Sequence, residues 1–185
     1  MVEPTSFQKK AIPKVKSGVN IFGIGQGSSG RTTALIINTI QKLKGKAYQD
    51  SPRALIFVKD KEAALNLELE FKSFTQHMDL RTLCVYEEAK MQNQIDLIYP
   101  GVDIVIATTK RLSKIYFQNG IHLGELQLFI VEDADFLIRA EHVVNITRIN
   151  DSLGKCQHII YASKMTPFLE RLKDSLMENA QTVNV

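Results

Sequence analysis

The stretch Asn20–Ile37, NIFGIGQGSSGRTTALII, most constrains what this chain can fold into. A short apolar run enters a turn of glycines and serines, and the turn opens into a second apolar segment with helical spacing. That order is strand, tight turn, helix. Gly25, Gly30, Arg31 and Thr32 satisfy G-x-x-x-x-G-[K/R]-T, a phosphate-binding loop pattern, with arginine where lysine is usual. Backbone N–H groups wrap an anion only where side chains stay clear and positive φ is allowed, and Gly27, Ser28 and Ser29 meet that demand between the two outer glycines. The helix start adds its dipole to the same anion site. Arg31 is the candidate cation and Thr32 the candidate metal-facing hydroxyl; a planar guanidinium in place of an ammonium is not a conservative exchange.

Short apolar runs alternate with helix-period segments along the rest of the chain. The first helix is expected over Thr5–Lys16, capped by Thr5 or Ser6 and limited or bent by Pro13, and the first strand over Asn20–Ile24. The helix after the loop runs to about Lys44 and ends at Gly45. Ala54–Val58 reads as a strand covered on both sides. Asp60 can cap a helix from Lys61 to about His77, with Ala64, Leu67, Phe71 and Phe74 on its apolar side. Strands follow at Leu80–Val85, Val102–Ala107, Leu126–Val131 and Gln157–Tyr161, with helices at Ala89–Ile98, Lys110–Phe117, Ala140–Ile149 and Pro167–Glu178. An edge strand is expected at Thr182–Val185. Such alternation predicts an α/β fold: a mainly parallel sheet of about seven strands, helices on both faces, and binding sites at the carboxyl ends of the strands. With 185 residues, 44% of them hydrophobic, and no linker-like stretch, one domain over residues 1–185 is expected.

The apolar run Phe129-Ile130-Val131 leads straight into Glu132-Asp133-Ala134-Asp135, so carboxylates emerge at a strand end. Beside a phosphate loop, such acids suit a metal-bound triphosphate and its attacking water. Cys84 and Cys156 sit in apolar surroundings without metal-ligand spacing and read as reduced thiols; His77, His122, His142 and His158 share no motif. No apolar run approaches the roughly 20 residues needed to span a bilayer. A reducing, cytoplasmic setting without membrane contact is the expectation. The net charge of +3 permits a polyanionic partner without requiring one.

In this order and spacing the motifs resemble the first of the two RecA-like ATPase domains of the DEAD-box RNA helicases. Pro4-Thr5-Ser6-Phe7-Gln8 with Ala11-Ile12-Pro13 is similar to the family's adenine-reading Q motif, Gln8 being the reading residue. Gly25–Thr32 corresponds to A-x-T-G-S-G-K-T, Glu132–Asp135 to D-E-A-D, and Ala162-Ser163-Lys164 to S-A-T. Ala107–Leu112 resembles A-T-P-G-R-L, and Lys59–Ala64 occupies the place of P-T-R-E-L-A. The resemblance implies ATP or ADP with Mg²⁺ as cofactors, held by Gln8, Gly25, Gly27, Ser28, Ser29, Gly30, Arg31 and Thr32. It further implies Thr32 and Glu132 on the metal side, Glu132 and Asp133 as the catalytic pair, and RNA backbone contact through Lys61, Thr108 and Arg111. A second RecA-like domain, which this chain lacks, would be the partner.

Departures from the family pattern accompany the matches. Arg31 and Ser28 replace a lysine and a glycine, and the order of Glu132 and Asp133 is exchanged. The hydroxyls of S-A-T are lost from their places, and Lys61 replaces an arginine. Glu87-Glu88 stands where the family often has paired glycines near RNA phosphates, which predicts weak RNA binding. Three functions follow as expectations: an ATP-binding helicase core, a hydrolytically impaired module that senses nucleotide or binds protein partners, or another phosphate-loop ATPase in which Gln8 and Arg111 have no role.

Overall fold

The apolar runs assemble into one seven-stranded sheet in the computed structural model, which describes residues 3–177 and 179–184. The strands are β1 (Ile21–Ile24), β2 (Ala54–Val58), β3 (Thr82–Val85), β4 (Ile104–Thr108), β5 (Leu128–Val131), β6 (Gln157–Ala162) and β7 (Gln181–Asn184). Their order is β3-β4-β2-β5-β6-β1-β7, and every neighbouring pair is parallel. Among the described residues, α1 (Ser6–Lys16) precedes β1, and six α-helices connect the strands: α2 (Arg31–Lys42), α3 (Lys61–Thr75), α4 (Met91–Ile98), α5 (Thr109–Phe117), α6 (Ala140–Asn150) and α7 (Pro167–Leu176). The expected helix end at Glu178 and strand end at Val185 lie outside the described residues. No helix among the described residues is long and apolar enough to cross a membrane.

Period-two alternation within the strands sends side chains to two cores. Ile21, Ile56, Ile106, Ile130, Ile159 and Tyr161 face α1, α2 and α3, whose Phe7, Ala11, Leu35, Leu67 and Phe71 close that layer. Phe22, Leu55, Phe57, Val105, Phe129 and Ile160 face the opposite way, against Ile98, Leu112, Ile115, Ile146, Leu169 and Leu172 of α4 to α7. Both faces being covered explains the unbroken apolar runs of β2, β4 and β5.

Several local expectations are resolved or corrected. Thr5 is the α1 cap: its hydroxyl accepts from Gln8 N at 3.2 Å, and Gln8 Oε1 accepts from Thr5 N at 2.9 Å, a reciprocal box. Pro13 does not end α1, which continues to Lys16; it stands in the last turn with its ring in solvent. Phe74 is not part of the α3 core and is 42% exposed, because Ala64, Leu67, Phe71 and Thr75 repeat turn on turn and Phe74 lies off that stripe. The turns Gly27–Ser29 and Ala134–Ile138 are short 3₁₀ helices that periodicity did not reveal.

At the amino ends of β2, β3 and β4, Asp103 is fully buried and holds two arginines. Arg53 Nη2 donates to Oδ1 at 2.7 Å and Arg81 Nε to Oδ2 at 2.9 Å, while the Tyr48 and Arg81 amides donate at 3.0 and 3.1 Å. Burial acts to raise the Asp103 pKa, but the hydrogen bonds from Arg81, Arg53 and Tyr48 outweigh it and the net shift is downward. A depressed carboxylate pKa contributes stability above the unfolded value and loses it as pH falls through the folded one. Asp103→Asn is therefore expected to cost about 3 kcal/mol in urea denaturation at pH 7. The gap between variant and parent should narrow below the ordinary carboxylate value of about 4; a constant gap from pH 7 to pH 3 would refute the ion-pair account.

Candidate functional site

The loop after β1 takes its shape from its flanking hydrogen bonds. Gly25 N donates to Ala162 O at 3.1 Å, so the β1–β6 pairing runs one residue past the strand. Gly27–Ser29 then makes a single 3₁₀ turn, and Gly30 sits at φ +83° before α2 begins at Arg31. A side chain at Gly30 fails twice: the φ is left-handed, and a Cβ there would lie 2.6 Å from Gln8 Nε2. No side chain caps α2, and its first turn carries no acid, so the dipole and the leading N–H groups open toward the loop.

Helix α1 is fastened to this loop. Thr5 Oγ1 donates to Ser29 O at 2.6 Å, and Gln8 Nε2 donates to Gly30 O at 3.3 Å. Gln8 therefore abuts the loop while its own amide oxygen serves the α1 cap. Of the remaining loop residues, Gly25 is buried, Gly27 and Ser28 are exposed, and the Ser29 hydroxyl is buried without a hydrogen-bond partner.

Arg31 is 9% exposed, and its Nη1 is buried with no hydrogen-bond partner. An unsatisfied buried donor on a charged group is costly and suits an anionic acceptor. Its charge lowers the pKa of Glu132, Asp133 and Tyr161 against the larger upward effect of burial on each.

Strand order brings the acids beside the loop, since only β6 separates β1 from β5. Thr32 Oγ1 donates to Glu132 Oε1 at 3.2 Å across 100 residues of sequence. Burial, first of all, raises the Glu132 pKa; Thr32 and Arg31 oppose it, while Asp133 and Glu70 add to it. Asp133 is also raised, chiefly by burial, and its carboxylate accepts from Asp135 N at 3.3 Å. Both Asp135 oxygens accept from Ser163 N, at 3.2 and 3.1 Å, joining the end of β5 to the end of β6. A cavity of about 230 Å³ lies between Thr32, Glu132 and the α3 residues Glu62, Asn66 and Glu70. Glu70 escaped the sequence reading, although Glu62, Asn66 and Glu70 fall four residues apart on one helix side. The described residues hold no group of three or more His, Cys, Asp or Glu that could bind a metal alone. One hydroxyl and one carboxylate suit Mg²⁺, which keeps water and phosphate ligands, rather than a metal needing an all-protein cage. The larger cavity of about 820 Å³ opens at the amino ends of β1, β5 and β6, away from the loop.

Lys61, Thr108 and Arg111 converge on the segment after β3. Lys61 Nζ lies 5.3 Å from the Tyr86 ring centroid, Thr108 Oγ1 donates to Glu87 Oε2 at 2.5 Å, and Arg111 Nη2 donates to Glu87 O and Ala89 O at 2.5 and 2.9 Å. Arg111 is 8% exposed; its guanidinium, expected to face a backbone phosphate, turns Nη2 to two carbonyls of that segment, while its buried Nε has no hydrogen-bond partner. Lys59 and Lys110 stay exposed, paired with Asp60 and Glu141.

Comparison with known proteins places this geometry in a family. The ATP-dependent RNA helicase ddx54 of Dictyostelium discoideum is 30% identical over 166 residues, which are 90% of this chain and 15% of that protein. The pre-mRNA-processing ATP-dependent RNA helicase PRP5 of Vanderwaltozyma polyspora is 32% identical over 173 residues, covering 89% of this chain and 20% of the relative. The chain thus spans a fifth or less of either relative. The crystal structure of the yeast DEAD-box splicing factor Prp28 matches at a TM-score of 0.89 and 20% identity, covering 100% of this chain and 46% of that one. A DEAD box protein from the hyperthermophile Methanococcus jannaschii matches at 0.89 and 21%, covering 98% and 49%. These two likenesses show the RecA-like fold. The model described as DEAD/DEAH box helicase matches residues 5–170, from the cap of α1 to the first turn of α7, and the chain therefore belongs to the DEAD/DEAH box helicase family.

Proposed function

We propose that this chain is the ATP-binding core domain of a divergent ATP-dependent RNA helicase, working against a second RecA-like domain. Adenine nucleotide and Mg²⁺ bind at Gly25–Thr32 and Glu132, and RNA backbone lies weakly along the edge of Lys61, Thr108 and Arg111. The observation that carries this reading is the buried, unpartnered Nη1 of Arg31 at the uncapped start of α2, next to the Thr32–Glu132 pair. A phosphate oxygen supplies the acceptor that Nη1 lacks, and the first-turn amides of α2 add the field of the helix end. Bound Mg²⁺ would offset charge on the phosphates, with Thr32 and Glu132 as its protein neighbours. Gln8 reads adenine from beside Gly30, where it is already fastened.

Nucleotide titration tests the loop. ADP is expected to bind at least as tightly as ATP, because the backbone cradle is intact while Arg31 and the exchanged acids alter the γ-phosphate side. Gln8→Ala should weaken ADP relative to GDP by about three- to tenfold. Equal loss for both bases would assign Gln8 to the α1 cap alone, and no binding of any nucleotide at millimolar concentration would remove the reading.

A second reading, a nucleotide-sensing or protein-binding module with impaired hydrolysis, is favoured by the acids. One Asp133 oxygen accepts from Asp135 N and one Glu132 oxygen from Thr32, so each exchanged acid is already oriented by a protein donor that competes with a water. The chain alone is expected to release no phosphate from ATP above background. Joined to a second RecA-like domain with RNA present, the triple change Arg31→Lys, Glu132→Asp and Asp133→Glu should recover more activity than the separate changes add up to. Turnover of the unaltered sequence at about 1 s⁻¹ or faster would exclude impairment.

A further inference from the structure

The segment Tyr86-Glu87-Glu88-Ala89 engages all three residues proposed to meet RNA backbone. It follows β3 and precedes α4, and Arg111 fixes it by donating one nitrogen to two of its carbonyls. The Thr108 side chain is nearly buried, and its hydroxyl proton is directed at a carboxylate oxygen. At 2.5 Å this contact falls at the short end of the range for a hydroxyl donating to an anion. A hydroxyl has one proton to donate, so a phosphate oxygen can take it only by displacing the carboxylate. Among the described residues, no lysine or arginine nitrogen lies within 4 Å of the Glu87 carboxylate, so its charge is not cancelled by an ion pair. Lys61 of α3 is set over the Tyr86 ring.

We propose that Glu87 is a specificity-determining residue of this edge: its carboxylate stands in the position of an RNA phosphate oxygen on Thr108 and keeps the edge closed to RNA backbone. The proposal rests on the reading that RNA lies along Lys61, Thr108 and Arg111. Glu88 is the internal comparison, since it carries the same charge one residue on without a hydrogen bond to Thr108. Charge in general and phosphate mimicry in particular therefore give different outcomes.

The test is binding of a fluorescein-labelled single-stranded oligouridylate, read by anisotropy over a salt series. Glu87→Gln, which keeps the shape and removes the charge, is expected to tighten binding by about tenfold or more at low salt. Glu88→Gln should do so by no more than about twofold. Thr108→Val placed on Glu87→Gln should abolish the gain, and matching melting curves show that each variant is folded. Equal gains for Glu87→Gln and Glu88→Gln overturn the proposal in favour of bulk charge. No gain for Glu87→Gln, when Thr108→Val or Lys61→Ala weakens RNA binding, overturns it and leaves the RNA edge standing. Binding that ignores Lys61, Thr108 and Glu87 alike, or no binding by any form, overturns both the edge and the proposal.

Discussion

Seven strands running parallel is the constraint from which the site follows. A parallel sheet needs a crossover of a dozen or more residues between partners, and the helices that supply it cover both faces. All carboxyl ends then open on one edge, and whatever follows each strand is delivered there. The loop after β1, the acids after β5, Ser163 after β6 and Thr108 at the end of β4 thus share one edge of the sheet while far apart in sequence. The opposite edge carries the buried Asp103 with its two arginines, which fastens the beginnings of β2, β3 and β4. One edge is tied by this ionic network, and the other leaves buried polar atoms of Ser29 and Arg31 without partners. Of the buried polar atoms without partners, these two fall together at the glycine and serine loop, where a ligand can supply the missing bonds.

Charge at the carboxyl edge is arranged against itself. Arg31 offers a buried cation, yet Glu132, Asp133 and Glu70 raise the negative potential beside it. Along the neighbouring stretch, Arg111 spends a nitrogen on carbonyls and Thr108 spends its proton on Glu87. A guanidinium cannot be deprotonated, so each of these arginines keeps its charge whichever acceptor it meets. Among the departures from the family pattern, Arg31 is coupled to Glu132 and Asp133 through charge.

Much of the architecture was legible beforehand. Continuous apolar runs at Ala54–Val58 and Leu126–Val131 required a sheet covered on both sides, and the helical stripe of Ala64, Leu67 and Phe71 required a helix packed on one side. The glycine and serine turn with Arg31 and Thr32 announced the loop, and the family match covers the residues that carried the resemblance from Thr5 onward. Phe74 misled because an apolar residue just off the stripe looks the same in sequence as one on it. Asp103 gave no signal: it fell inside the strand expected over Val102–Ala107, and local periodicity does not show that Arg53 and Arg81 converge on it.

What the sequence by itself determined, then, is the succession of elements, the class of sheet and the chemical identity of the loop and acids. These depend on local periodicity and on backbone conformations that only certain residues allow. Partner choice was decided by tertiary structure alone: Thr32 with Glu132, Asp135 with Ser163, Arg111 turned inward, and Thr108 held by Glu87 rather than left for a phosphate. The physical reason is that a hydrogen bond is selective over a few tenths of an ångström. Which groups come that close is set by the order β3-β4-β2-β5-β6-β1-β7, and hydrophobic periodicity carries no information about that order.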